Sequence, residues 1–457
     1  MRADQTARDL LAAGFAAIRT EAAVSGPFTA DVEAAASAAV PTGIARRDAT
    51  DLAFVTLDPA TSTDLDQAFA LSRDGNTLVL HYAIADIGAF VERGGIIERA
   101  AWERGSTVYA PDGSVPLYPR VLSQGKASLL PDGPRPAVLL TVAVAPDGSA
   151  TLRNAERAMV ASRAKLAYDT VAPHDLPADI AEFSARILAN EDARGAFRVE
   201  LPEQEVIADA DEPSGVRLRF QPRLASEELN STLSLAANLA VADAMHRSGF
   251  GLFRVMDDPD GRELVSLHRS AKALGIDWND GEGLRRLVPR LDPRNPKHVA
   301  FLIAARRSGG GATYAVMQPP LKPWHSAVAA MYAHATAPMR RLADRYVLDL
   351  ICAQMSDSAG DHQVFATLPG VMERADKVAG RVDREAVDLV ECVMLRDRIG
   401  ETFTAIVVEV DKHGAIVQIA DPAIRSRAKV SGAAPGDQVR VVLRNVEVGE
   451  RRITLGS

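Results

Sequence analysis

The segment VTLDPATSTDLDQAFAL holds the densest potential chemistry in the chain. Asp58 ends an apolar run, and Asp64 and Asp66 follow a short turn rich in Thr and Ser. In an extended segment residues i and i+2 point to the same face, so Asp64 and Asp66 converge, and the turn folds them back towards Asp58. Three carboxylates at one point repel strongly unless a cation compensates them. Hard oxygen ligands of this kind suit Mg²⁺ or Mn²⁺. Asp86, after the apolar run HYAIA, stands where it joins or supports the cluster. The plainer alternative is that these are turn and cap aspartates, which such loops favour. A second stretch, YAHATAPMRRLADRY, sets Tyr332, His334, Thr336 and Pro338 before the adjacent Arg340 and Arg341, with Asp344 following. Pro338 fits the first turn of a helix. An arginine there reaches a phosphate with a bidentate fork, or else simply pairs with Asp344 on the helix surface.

The elements around these residues must position them. LAFVTLD, TLVLHYAIADIG and AVLLTVAVAPDGSATL read as strands, with turns at Asp74-Gly75 and Pro146-Asp147-Gly148. ELNSTLSLAANLAVADAMHRSG reads as one long buried helix, and 283–306, 326–354 and 368–396 read as helical too. With no fixed-period repeat and no low-complexity linker, residues 49–398 form one large α+β domain. Residues 1–48 read as helical: Asp9, Leu10, Leu11, Phe15, Ile18 and Arg19 lie at helical spacing, Ser25-Gly26-Pro27 breaks the helix, and Thr29 caps a second one over 30–39. This region is either a helical cap on the main domain or a helix-turn-helix unit touching nucleic acid. Its five basic residues against six acidic ones form no cationic cluster in favour of the second reading. From 399 to 457 the pattern returns to short strands, which suits a small OB-type barrel.

Composition narrows the class. The chain has 457 residues, 47% hydrophobic and 25% charged, the balance of a soluble globular protein of several domains. Two cysteines, Cys352 and Cys392, exclude a disulfide framework and a Cys-rich zinc site. The absence of a long apolar run or a signal peptide predicts a cytoplasmic protein. A net charge of −8 excludes a globally basic nucleic-acid binder, so any polyanion must be met locally. Between Arg396 and Ser457, ten basic residues face eight acidic ones, so basic character concentrates in the C-terminal barrel.

Together these motifs resemble the ribonuclease II/ribonuclease R family of processive 3′→5′ exoribonucleases. DPATSTDLDQA resembles its acidic metal motif. VYAPDGSVPLYPRVLSQGKASLLPDGPRPAV resembles the stretch holding its tyrosine, Leu-Pro segment and Ser-Leu turn, and YAHATAPMRRLADR its arginine motif. KLAYDTV and RVDREAVDLVE match weaker segments. The resemblance implies an α+β RNB catalytic domain over 49–398, a short helical N-terminal region over 1–48, and a C-terminal S1-type OB-fold β-barrel over 399–457. Forty-eight residues cannot hold the two cold-shock barrels usual before the catalytic domain, which implies a compact bacterial variant without them.

The resemblance also assigns roles. Asp58, Asp64 and Asp66 hold catalytic Mg²⁺, with Mn²⁺ as the other candidate. Gln67 occupies the place of a fourth aspartate: a weak metal ligand, an orienter of metal-bound water, or no ligand if the second metal enters with the RNA phosphate. Arg340 polarises the scissile phosphate, with Arg341 beside it on the substrate side. Tyr109 lies near the cleaved end, and Tyr168 contacts the terminal nucleotides, where stacking is sequence-tolerant. Asp383 stands where a Glu is usual and bonds a 3′-terminal hydroxyl. Asn230-Ser231-Thr232 replaces a usual Glu-Glu, weakening the reading of the 2′-hydroxyl. Asn238 and Arg254 match family positions in structural roles. The barrel has Phe403 as its one aromatic besides His413, so Lys412, Arg425, Arg427, Lys429 and Arg444 meet RNA ionically.

The expected function is Mg²⁺-assisted hydrolysis of single-stranded RNA from its 3′ end to nucleoside 5′-monophosphates, by a monomer without membrane contact. The competing expectations are an inert RNB-like RNA-binding protein and a phosphodiesterase acting on other nucleic acids or small nucleotides.

Overall fold

The computed structural model describes residues 2–196, 203–209, 211–212, 215–221, 224–279, 281–292, 295–308, 310–317, 323–356, 358, 360–411 and 413–456. Among these, the centre is a seven-stranded sheet in the order Arg47–Asp48, Ala150–Val160, Arg135–Val144, Thr77–Ala85, Gln67–Asp74, Phe54–Asp58, Ser162–Ala167. The inner strands are antiparallel, and the two outermost pairings are parallel. Gly75, at φ +57°, takes the positive angle that the two-residue turn between Asp74 and Thr77 demands.

Ala161 alone links Ala150–Val160 to Ser162–Ala167, the second and last strands in the order. Laid flat, strands five places apart would lie about 24 Å from each other at ~4.8 Å per step. Two residues span at most about 7 Å. The sheet must therefore curl until its ends approach. The helix Ala225–Arg247 packs on its strands Ala150–Val160 and Arg135–Val144. The shared core contains Phe54, Phe69, Tyr82, Phe183 and Phe253. Fully burying such a ring contributes roughly 1.5–3 kcal/mol relative to exposure.

The strands expected around Asp58, Asp86 and Pro146 form, as do the long helix at 225–247 and the helix Leu368–Leu395. Two helical expectations need correction. Residues 283–306 divide into Leu284–Leu287 and Pro296–Arg307, because Pro289 and Pro296 cannot donate within a continuous helix. Of 326–354 only Leu342–Met355 is helical. Pro338 therefore lies in a turn before the helix and not in its first turn.

The N-terminal helices Arg2–Glu21 and Ala30–Ala38 form, but not as a helix-turn-helix unit. The first buries Leu11, Phe15 and Ile18 against the helix Leu368–Leu395. The second buries Val32 and Ala36 in the core of the sheet domain. Thr29 stands at its N-cap without a side-chain cap bond. At its other end, Lys126 Nζ donates to the carbonyls of Ser37 at 2.5 Å and Ala39 at 2.7 Å, placing a cation where the helix dipole favours one.

Strands Thr402–Asp411, Gly414–Ile419, Ile424–Lys429, Gln438–Glu447 and Arg452–Gly456 close into a barrel, as an S1-type OB fold requires. The barrel docks on the helices Pro296–Arg307 and Leu368–Leu395. No helix among the described residues is long and apolar enough to cross a membrane.

Candidate active site

The acidic residues sit at one end of the curled sheet. Asp58 is the last residue of Phe54–Asp58 and pairs in register with Ala167 of the neighbouring parallel strand. Its carbonyl accepts the Tyr168 N–H at 3.2 Å, so both strands deliver their terminal residues to the same place. The loop from Asp58 to Gln67 is pinned from outside. Ser128 Oγ accepts the Leu65 N–H at 2.9 Å and donates to the Thr63 carbonyl at 2.7 Å, bracketing Asp64. Leu65 itself is fully buried. Asp66 is 6% exposed. Its carbonyl accepts from the Ala85 N–H at 2.8 Å, its Oδ1 from the Met339 N–H at 2.8 Å, and its Oδ2 lies 3.5 Å from Arg340 Nε.

Burial pushes the Asp66 carboxyl up to about 7, against the pull of Arg340 and of the Met339 N–H. Burial likewise pushes Asp58 up to about 6, with Arg340 opposing and Asp64 adding repulsion. A buried and a half-buried carboxylate whose charge is so costly are chemically suited to a hard divalent cation. The expected convergence of Asp58, Asp64 and Asp66 on one point is not met as the side chains stand. Among the described residues no three Asp, Glu, His or Cys groups gather closely enough to hold an ion. Asp66 is turned towards Met339 and Arg340 instead, and unneutralised carboxylates spread apart. Mg²⁺ commonly takes only one or two carboxylates and completes its shell with water and substrate phosphate, so the donor set still fits.

Two candidates leave the metal set. Asp86 is buried and held by Arg157 Nη1 at 2.7 Å, and Arg157 also reaches Asp349 at 2.5 Å. Asp86 thus ties the strand end to the helix Leu342–Met355 and does not join the cluster. Gln67 is engaged at both ends of its amide. Its Nε2 donates to the Thr336 carbonyl at 2.7 Å, and its Oε1 accepts from the Tyr82 hydroxyl and, at 3.2 Å, from Ser234 Oγ. A side chain that clasps the strand, the arginine segment and the long helix together has no carbonyl oxygen left for a metal.

The turn before Leu342 separates the two arginines. Arg341 Nε and Nη2 form a bidentate pair with Asp344 at 3.0 and 2.8 Å, and Asp344 is fully buried. The same Asp344 accepts the Ala337 N–H at 2.8 Å, which closes the turn. Arg341 therefore serves as an internal strut, its fork turned to Asp344. Burial opposes its charge, but Asp344 more than restores it and raises its pKa. Arg340 points the other way: its side chain is 45% exposed and faces Asp66. Behind the turn, His334 Nδ1 bonds the Tyr314 hydroxyl at 2.8 Å, and burial with the nearby Arg341 and Arg254 keeps its pKa well below the ordinary value.

Tyr109 stands on a short hairpin, Val108–Ala110 with Gly113–Val115, and is 52% exposed. The hairpin's base is sewn to the arginine turn by Thr107 N–H to the Arg340 carbonyl at 3.0 Å. Partial enclosure, then Asp64, push the Tyr109 hydroxyl up to about 12, with Arg340 pulling down. The Tyr168 hydroxyl accepts from Asn230 Nδ2 at 2.6 Å, and its ring packs against the core of the sheet domain. Asn238 and Arg254 are structural. Asn238 Nδ2 donates to the Tyr332 hydroxyl at 3.1 Å and its Oδ1 accepts the Ala335 N–H at 2.9 Å. Arg254 pairs with Asp376 at 2.8 Å.

The remaining expectations scatter. Asp383 is exposed on the helix Leu368–Leu395. Arg425 turns along the barrel wall to Gln418 Oε1, at 2.7 Å from Nη2, and lies 5.7 Å from the Phe220 ring centre. It braces the barrel against the neighbouring domain instead of presenting its charge outward. Arg427 and Lys429 line a cavity of about 360 Å³ between barrel and helix, together with Asp388 and Glu391. Arg444 is exposed, and Lys412 lies outside the described residues. Phe403 is buried under Arg398, so it offers no stacking face.

Sequence reasoning overlooked the polar stripe that assembles the site. Asn230, Ser234 and Asn238 recur every four residues on the helix Ala225–Arg247 and bond Tyr168, Gln67 and Tyr332 in turn. Uncharged polar residues at i, i+4 and i+8 share one face of a helix, a legible signal that the three act together.

Comparison with known proteins fits this geometry. The RNB domain model matches residues 46–357, well over half the chain, and the model of the RNase II-type exonuclease C-terminal S1 domain matches 401–456. The chain is 27% identical over 406 residues to Ribonuclease R of Mycoplasma genitalium, covering 82% of this chain and 55% of that one. It is 26% identical over 404 residues to Exoribonuclease 2 of Proteus mirabilis, covering 82% and 61%. It thus spans between half and two thirds of the length of these curated relatives. The structure of Mycoplasma genitalium RNase R in complex with ribose-methylated single-stranded RNA superposes with a TM-score of 0.86 at 23% identity, covering 97% of this chain and 77% of that one. Yeast Ssd1, described as a pseudonuclease, shares the fold at a TM-score of 0.67 and 19% identity. The sheet domain with its acidic loop and arginine turn, followed by the closed barrel, makes this chain a member of the RNB family that carries an RNase II-type S1 domain.

Proposed function

We propose that this chain is a 3′→5′ exoribonuclease that hydrolyses single-stranded RNA to nucleoside 5′-monophosphates, with Mg²⁺ as cofactor. The observation that carries the reading is the contact of Asp66 with the turn holding Arg340, which unites the acidic and arginine motifs across 273 residues. Bound there, a divalent cation supplies charge neutralisation at the phosphate and an activated water. Asp58 and Asp66, with Asp64 on the outer side, hold it. Arg340, exposed and aimed across the acidic loop, meets the non-bridging oxygens of the scissile phosphate as charge develops on them. Tyr109 and Tyr168 flank the acidic loop and offer ring faces for the terminal bases. The barrel, with Phe403 buried and His413 as its one exposed ring among the described residues, adds mainly ionic grip that weakens with salt.

A second reading, an RNA-binding protein without turnover, is favoured by one observation: Gln67 contributes no carboxylate and is clasped away from the site. One experiment separates them. Labelled oligo(A) RNA and the matching DNA are incubated with Mg²⁺ or EDTA. A ladder of shortening RNA with Mg²⁺ only, and 5′-monophosphates as product, is expected. Binding without shortening selects the second reading, and equal cutting of DNA selects a less specific phosphodiesterase.

A further inference from the structure

The helix Arg2–Glu21 takes no part in the chemistry above, yet its contacts lead to the site. Its stripe of Ala7, Leu11, Phe15 and Ile18 is buried, and shares one apolar cluster with Val108 of the Tyr109 hairpin and with Leu389 of the helix Leu368–Leu395. Gly14 permits that close approach: a Cβ there would come within 2.4 Å of a Leu389 methyl. In the last turn, Arg19 Nη1 and Nη2 donate in parallel to Asp112 Oδ1 and Oδ2, each at 2.7 Å. Asp112 sits in the turn that joins Val108–Ala110 to Gly113–Val115. A two-stranded hairpin is marginal on its own in water, so what it leans on decides where Tyr109 stands. Here its base leans on the apolar stripe and its tip on a planar Arg–carboxylate fork, the ion-pair geometry with most directional specificity.

Two residues further on, the same helix grips the barrel. The Glu21 carboxylate pairs with Arg451, and its carbonyl accepts from Arg381 Nη1 at 2.9 Å. Arg451 occupies the turn between Gln438–Glu447 and Arg452–Gly456, at φ +50°. A non-glycine residue in that region costs energy and persists where its surroundings over-determine it. Glu21, and Glu385 at 3.5 Å, are those surroundings.

We propose that the N-terminal helix is a strap holding the Tyr109 hairpin and the S1 barrel in one register, with Arg19 as the positioning residue that keeps Tyr109 beside the Arg340 turn. This rests on the reading of RNA as the ligand. The test is a double-mutant cycle on the affinity of fluorescein-labelled oligo(A) in EDTA, using the full chain. Arg19→Asp weakens binding about tenfold, the scale of one stacked base, while Arg19→Asp with Asp112→Arg returns it to within about twofold. In a Tyr109→Ala background Arg19→Asp adds nothing, because the effect passes through that ring. Equal weakening with and without Tyr109, no weakening at all, or no rescue by the reversed pair overturns the proposal. Asp112→Asn serves as the second variant should thermal melting show that Arg19→Asp unfolds the chain. Wild-type shortening of the same oligonucleotide with Mg²⁺ judges the ribonuclease reading separately, since the affinity cycle needs no turnover.

Discussion

Ser128 and Leu65 are 63 residues apart, and the Leu65 N–H donates to Ser128 Oγ at 2.9 Å. With the return bond from Ser128 to the Thr63 carbonyl, one hydroxyl sets the course of the loop between Asp58 and Asp66. Ser128→Ala leaves the buried Leu65 N–H without its partner, at about 1–3 kcal/mol, and frees the part-buried Thr63 carbonyl. The expected result is a fall in kcat of about tenfold, the rate equivalent of about 1.4 kcal/mol, and a higher Mg²⁺ requirement. Unchanged Mg²⁺ titrations on a short RNA would show that the loop holds its course without Ser128.

Asp66→Asn retains an oxygen for the Met339 N–H but removes the charge. Turnover is expected to vanish while affinity for oligo(A) in EDTA stays within a few-fold. Retained turnover would sink the metal assignment of Asp66.

The two arginines are expected to fail in different ways. Arg340→Ala removes an exposed group facing the site, so the rate falls about 10²-fold or more and the melting temperature holds. Arg341→Ala strands the fully buried Asp344, at about 3–5 kcal/mol, and the melting temperature falls. Kinetics alongside calorimetry decides the matter, and the reverse pattern contradicts the roles assigned to the pair.

Gln67→Asp tests the clasp. The family resemblance alone favours a gain in metal affinity, because a carboxylate is usual there. The contacts reverse that expectation: the shorter, charged side chain loses the bond to the Thr336 carbonyl and adds charge beside the Tyr82 hydroxyl, inside a fully buried tyrosine's shell. Activity is expected to fall with no drop in the Mg²⁺ needed for half-maximal rate. A lower requirement would restore Gln67 to the metal set.

Glu391, at the seam between the long helix and the barrel, is pushed up to about 8, first by burial and then despite the bond from Gln204 Nε2. A carboxyl whose folded pKa lies above its unfolded value lends stability that is fully present below the unfolded pKa. That stability is lost as pH rises towards the folded one. The wild type is thus expected to lose stability between about pH 4.5 and 8 relative to Glu391→Gln, whose melting temperature at pH 8.5 should be higher by about 1 °C per kcal/mol recovered. Parallel melting curves for the two proteins across that range would refute the seam's dependence on a neutral Glu391.

Much of this protein was written in local sequence. Strand alternation around Asp58 and Thr77, the turn at Gly75, the apolar stripe from Leu11 to Ile18 and the β-rich tail needed only nearest neighbours to declare themselves, since pleat, turn and helix periods are local properties. The motif residues that could do chemistry were legible for the same reason. What each of them does was not. Arg340 and Arg341 are adjacent and identical in type, and only the burial of Asp344 turns one inward and leaves the other facing Asp66. Gln67 follows Asp66 directly, yet its amide belongs to Thr336, Tyr82 and Ser234, partners brought up by distant segments. Pro338 suggested a helix start, but the carboxylate of Asp344 and the demand of Asp66 for the Met339 N–H hold that stretch as a turn. A buried polar atom must find a partner within hydrogen-bond reach, and which partner is within reach is settled by packing across hundreds of residues, not by spacing along the chain.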